Sequence, residues 1–230
     1  MNRPAQGVLL LLVGAAVLRA GTTDLYLRYV RTGLRPLLLG AGVVLIVAAL
    51  TTFWYERRAR HAAPHAHREP RVAWLLLLPL FALVLVAPPA LGSYAATRTG
   101  TVLQRPAGFP DLPAGDPLRL TVNDYAARAV YDHGRSLAGR RVRLTGFITV
   151  GPHGTPYLTR MVLNCCAADA QPVKVGLSGR LPVLQPDGWF EVTGTYTPKV
   201  IADEVNKGPI PFLDVSEARQ VPAPHERYET

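Results

Sequence analysis

Three apolar stretches fill most of residues 7–95, and no other feature restricts the fold so strongly. The first, at about 7–30, opens with Val8-Leu9-Leu10-Leu11-Leu12-Val13 and is interrupted by Arg19 and Asp24. Its uninterrupted part has the length of a signal-peptide core. No small-residue cleavage site ends it before Arg19, however, and a second apolar run follows almost at once. It is therefore expected to span a membrane, with Tyr26 and Tyr29 at the interface. The second stretch, at 34–55, closes on Phe53-Trp54-Tyr55, the aromatic belt of a membrane boundary, and roughly 20 apolar residues suffice to cross the hydrocarbon. The third, at 72–95, begins near Trp74 and contains Pro79, Pro88 and Pro89, which a membrane helix tolerates where its neighbours re-satisfy the backbone. Three N-terminal transmembrane helices, within a membrane region at 1–96, are the expectation.

The formal charge of +9 first raises a nucleic-acid partner, but the arginines cluster beside the apolar runs, where membrane flanks carry them. Arg57, Arg58, Arg60, Arg68 and Arg71 lie between the second and third stretches and favour a cytoplasmic loop; Arg28, Arg31 and Arg35 around the first short loop pull the other way. The denser cluster places the N-terminus inside and everything after residue 96 outside. The chain reads as a multi-pass protein of the cell membrane, in contact with the lipid bilayer, with an extracytoplasmic C-terminal domain.

Residues 97–120 are too rich in Pro and Gly for regular structure and read as a linker. Thr121, with Asp124 three positions on, caps a short amphipathic helix expected to end near Gly134. The periodicity then changes to that of strands, at 141–150, 157–164, 172–177, 189–196 and 211–215, with the turn Pro186-Asp187-Gly188 before the fourth and a polar tail at 221–230. Glycines inside the first and fourth strands, where a barrel bends sharply, point to a small OB-like five-stranded β-barrel over 121–220. The fold class is membrane helices plus all-β. An OB barrel ordinarily raises single-stranded nucleic acid as ligand. Here Phe147, Tyr157 and Trp189 are the only good stacking candidates, and a domain outside the membrane meets no such substrate, so no nucleic acid is expected as partner.

The two cysteines of the chain, Cys165 and Cys166, are adjacent, with Asp169 three positions beyond. Successive strand side chains face opposite ways, so the pair can share a site only if the backbone turns, and Ala167-Ala168-Asp169-Ala170 reads as that turn. Soft thiolates with a carboxylate suit zinc or another transition metal; equally, small buried cysteines can simply pack. A disulfide between neighbours would close a strained eight-membered ring. His153, or a water, would complete a metal shell, and the charge of Arg160 would lower the thiol pKa. A second, weaker metal tract is His61, His65 and His67 in the loop between the second and third stretches, which a solvated polar linker explains as well.

Thr159-Arg160-x-x-Leu163-x-Cys165-Cys166-Ala167-Ala168-Asp169-Ala170 and Asp187-Gly188-Trp189-Phe190-Glu191-Val192-x-Gly194, together with the N-terminal spans and the Pro-rich linker, resemble the YcgQ-like family of bacterial membrane proteins. The resemblance covers nearly the whole chain; its histidine loop is sparser than the family's. It implies a partner, a multi-spanning YcgR-like permease, and a connection with metal homeostasis. The expectation is a membrane-anchored accessory subunit of a permease whose cysteines bind or present a metal. A thiol redox protein cycling the vicinal pair without metal, and a purely structural docking module, are the alternatives. No acid/base pair, phosphate loop or nucleophile with a base at motif spacing is present, so no enzymatic activity is expected.

Overall fold

The structure, a computed structural model, describes residues 3–60, 78, 81–82, 85–86 and 89–230. The chain divides into two compact units, Met1–Pro89 and Ala90–Thr230. In the first, helix α1 (Arg3–Thr22) and helix α2 (Arg35–Arg60) pack on each other. Gly14 and Gly42 face across their crossing, where a Cβ on either would press into the other's carbonyl oxygen at 3.1–3.3 Å; small residues at a crossing are how apolar helices approach closely. Arg35 Nε donates to the Gly21 carbonyl at 2.9 Å and steadies the turn between them.

Segments 5–22 and 32–58 are long and apolar enough to cross a membrane. The first ends earlier than the expected 7–30. The Thr22 and Thr23 hydroxyls donate back to carbonyls of the last turn, and Thr23 then starts a separate 3-10 turn, Asp24–Arg28. Half of the expected third span at 72–95, and all of His61, His65 and His67, lie outside the described residues.

The second unit is built on a seven-stranded mixed sheet, where five strands were expected. The five long strands are β2 (Arg141–Val150), β3 (Pro156–Val162), β4 (Gln171–Gly179), β5 (Trp189–Ala202) and β6 (Pro209–Gln220). Pairing runs β2–β5, β5–β6, β6–β4, β4–β3 and back from β3 to β2, antiparallel throughout except for β4–β6, so the ladder closes into a ring. Gly146 and Gly194 sit where neighbouring backbone approaches closely: a Cβ at Gly146 would meet the Thr159 carbonyl oxygen at 2.8 Å, and one at Gly194 would overlap the Asp214 carbonyl oxygen. Two-residue strands β1 (Leu118–Arg119) and β7 (Tyr228–Glu229) add in parallel to β2 and β3. Sequence periodicity passes over them because a strand of two residues has no alternation to detect.

Inward residues of the ring, among them Val142, Leu144, Ile148, Leu158, Val175 and Val192, form the core. Helix α4 (Val122–Tyr131) joins it through Val122, Tyr125, Ala126 and Ala129. As expected, Thr121 caps this helix, its hydroxyl accepting from the Asp124 amide at 3.0 Å. A second cluster lies on the outer face of β2 and β3: helix α3 (Ser93–Arg98) covers Phe147 and Met161 with Ala96, beside Leu163 and Tyr228.

The segment expected as a linker carries no long element but is strapped to the domain. Arg128, 2 % exposed, holds Asp124 through Nε at 3.0 Å and donates to the Pro110 carbonyl at 2.9 Å; Arg140 donates to the Pro113 and Gly115 carbonyls. Residues expected as a polar tail are likewise engaged. The Glu229 carboxylate accepts from the Val122 and Asn123 amides at 2.9 Å each, capping α4, and the Tyr228 hydroxyl accepts from the Leu91 amide.

The strap at 99–101 is fastened by a buried ion pair. Lys174 Nζ lies 2.8 Å from Asp203 Oδ2 and also donates to the Thr99 carbonyl, while Asp203 accepts from the Thr101 amide. These donors and the Lys174 charge hold the Asp203 carboxyl below its usual range against the opposing effect of burial. Removing one partner of a buried pair strands the other charge. Lys174→Met is therefore expected to lower unfolding stability by about 3 kcal/mol in denaturant titration, with most of the loss recovered in Lys174→Met/Asp203→Leu.

Candidate functional site

β3 stops at Val162 because the chain there leaves the ladder, and its next amide, Leu163, is taken by the Glu229 carbonyl at 2.9 Å. Cys166 is still extended, and Ala167–Asp169 then closes a 3-10 turn in which the Asp169 amide donates to the Cys166 carbonyl at 3.0 Å. The turn carries the Asp169 side chain back over the start of the loop. Its Oδ1 accepts from the Asn164 amide at 3.1 Å and its Oδ2 from the Cys165 amide at 2.8 Å. Asp169 thus has a structural duty independent of any ligand, and it is this carboxylate that folds two neighbouring cysteines onto one side.

The result is a group of three donors, Cys165, Cys166 and Asp169, whose ligand atoms lie within 4.8 Å of one another. Two thiolates on one tetrahedral zinc stand about 3.8 Å apart at ordinary Zn–S lengths, a separation that this span accommodates. Both sulfurs are free thiols; Cys165 is exposed and Cys166 half-buried. Asp169 keeps lone pairs beyond the two amide bonds, since each carboxylate oxygen accepts more than once. The donor chemistry fits a thiophilic transition metal, and the exposed face leaves room for a further ligand.

The electrostatics follow from the same contacts. The Cys165 thiol donates to Asp169, and with that carboxylate and Cys166 beside it, its pKa is pushed up from about 9 to about 12. Asp169 moves the opposite way, held below the ordinary carboxylate range by the thiol and the backbone amides.

Arg160 does not act on the sulfurs in the expected way. It is 7 % exposed, lies 3.5 Å from Glu229, donates to the Glu226 carbonyl and sits 5.0 Å from the centre of the Trp189 ring. Trp189 in turn packs against Phe147 at 5.6 Å. Both residues brace the end of β3 from which the cysteine loop springs. No sequence signal links Arg160 to Glu229, which joins the sheet only through the two-residue β7.

His153 is not brought to the cysteines. It occupies the turn Pro152–Gly154 between β2 and β3 in a left-handed conformation, φ 58°. The seven residues of β3 separate that turn from the cysteine loop, about 20 Å at strand rise.

A family model described as the DUF1980 C-terminal domain matches residues 110–229, just over half of the chain and including the cysteine loop. No curated protein and no solved structure matches.

Because Asp169 retains the Cys165 proton, alkylation at about pH 8 should modify Cys165 slowly despite its exposure. Asp169→Asn should accelerate it about tenfold as thiolate becomes accessible, read by mass spectrometry of the labelled peptide. The raised thiol pKa also carries a sign: its stabilising contribution is complete below about 9 and is lost as pH climbs toward 12. Alkaline unfolding of Asp169→Asn should therefore lack that component.

Proposed function

The chain belongs to the DUF1980 family, and from that premise we propose that it is a membrane-anchored accessory subunit that holds a thiophilic transition metal such as zinc through Cys165, Cys166 and Asp169. The observation that carries this reading is the convergence of two thiols and a carboxylate on one loop. A divalent cation among these donors would relieve the repulsion that keeps the Cys165 proton in place. Binding would then release protons and strengthen as pH rises. With three ligands from the loop and an exposed face, the site suits handing a metal on rather than sealing it in.

The redox alternative is less well supported. Thiol–disulfide exchange and metal ligation both need thiolate; the carboxylate next to Cys165 disfavours it at that sulfur, and a bound cation offsets that repulsion whereas disulfide exchange brings no positive charge to do so.

In this reading the strand ring is an OB-type barrel, the N-terminal region crosses the cell membrane three times, and the domain stands on the extracytoplasmic side. The resemblance to the YcgQ-like family supplies the partner, a multi-spanning YcgR-like permease to which the metal would be presented. His61, His65 and His67 would add a weaker collecting tract on the opposite side.

The decisive experiment titrates the full chain, purified in non-ionic detergent under reducing conditions, with zinc against a chromophoric chelator while free thiols are counted. One equivalent of zinc should protect both thiols, binding should be lost in Cys165→Ser/Cys166→Ser, and Asp169→Ala should weaken it about 10- to 100-fold. Reversible oxidation of the pair without zinc protection would establish the redox reading instead. Permease assembly and transport that survive loss of both cysteines would reduce the domain to a docking module. An impermeant thiol reagent should label Cys165 in intact cells; labelling only after the cells are opened would reverse the topology.

A further inference from the structure

The C-terminal domain carries a cleft of about 370 Å³ at the far end of β3 from the cysteines, within the range of small-ligand sites. Its mouth lies between Val150, at the end of β2, with Gly151 and Pro152 beyond it, and Asp203, Glu204 and Val205 after β5. Tyr157, Lys174 and Thr149 line it more deeply, each at most 7 % exposed. The mouth exposes two valines: Val150 is 41 % and Val205 55 % exposed.

The walls are held in place before any ligand arrives. Asp203 accepts from the Val205 and Thr101 amides, and the Lys207 amide donates to the Asp203 carbonyl, which fixes the β5–β6 connection. On the other side the Tyr157 ring lies against the bare backbone of Gly151, where a Cβ would run into it. The Thr149 and Thr159 hydroxyls satisfy each other at 2.7 Å.

Charge then selects the ligand. Lys174 and Asp203 cancel at 2.8 Å. What remains is the Glu204 carboxylate, exposed and without an ion-pair partner among the described residues. A groove for single-stranded nucleic acid needs the opposite sign, and anionic metabolites are repelled. One negative charge at an apolar, tyrosine-containing cleft matches a cation with a hydrocarbon body, whose charge can meet the carboxylate while its stem covers the valines and approaches the aromatic ring.

We propose that this cleft, between the β2–β3 and β5–β6 connections, binds a small organic cation: a primary ammonium on a short aliphatic stem. It is separate from the cysteine loop and does not depend on metal binding there.

The test uses the full chain in non-ionic detergent and three probes of one shape, n-pentylammonium, n-pentanol and n-pentanoate, followed by saturation-transfer NMR and calorimetric titration. Pentylammonium should bind more tightly than pentanol, and pentanoate should not bind. Glu204→Gln, a substitution at an exposed position that should leave thermal unfolding unchanged, should weaken pentylammonium about fivefold while leaving pentanol as it was. Val205→Asp should weaken pentanol. Equal binding of the three probes, no binding of pentylammonium, or indifference of pentylammonium to Glu204→Gln would each overturn the proposal.

Discussion

Backbone pairing at the edge of β3 is the constraint on which the rest of this domain depends. β2 and β3 pair only from Phe147/Thr159 to Val150/Pro156 and then diverge, which leaves half an edge open on each strand. Unpaired strand edges invite foreign strands, and β1 and β7 fill those two half-edges. The second repair matters more. In pairing with Met161 and Val162, β7 brings Glu229 to the first amides of α4 and to Arg160, so its carboxylate caps a helix and neutralises a buried arginine while its backbone carbonyl finishes a strand. The cysteine loop begins directly beyond this joint, on a strand end held from both sides.

That loop shows how little machinery a three-donor site requires. Asp169 uses two backbone amides to bend the chain and, with the same carboxylate, crowds the thiol of Cys165. The loop is therefore already folded around a negative charge whose neighbours favour protons over thiolates, and a metal would compete with protons rather than with disorder. Little ordering entropy remains to be lost on binding, which favours selectivity by donor type.

The fold was legible in the sequence where residues alternate or punctuate. The strand at 141–150 has the bounds its periodicity implies, Asp187-Gly188 does turn the chain into β5, and Thr121 with Asp124 does start α4. Strand ends were less legible, since β5 and β6 run past their apolar cores into residues that pair without packing. The site was legible as far as Cys165, Cys166 and Asp169, because local spacing determines a turn. It was not legible in Arg160, whose charge was expected to lower the thiol pKa and which instead meets a partner brought close only by the sheet. The strap at 99–117 and the Lys174–Asp203 pair were invisible for the same reason: Pro and Gly announce the absence of helix or strand and say nothing about which carbonyls a distant arginine or lysine will claim.

The order of attachments from Leu91 to Thr101 has a mechanical meaning. Tension entering the domain from its N-terminal side would load Leu91 to Tyr228, then Ser93 to Asp187, then Thr101 to Asp203, before any ladder bond of the ring is stretched. The strap is a sacrificial fastening in series with a stiffer body. A pull too weak to unravel the ring could still peel α3 from Phe147 and Met161, converting force on the tether into a newly bared apolar face.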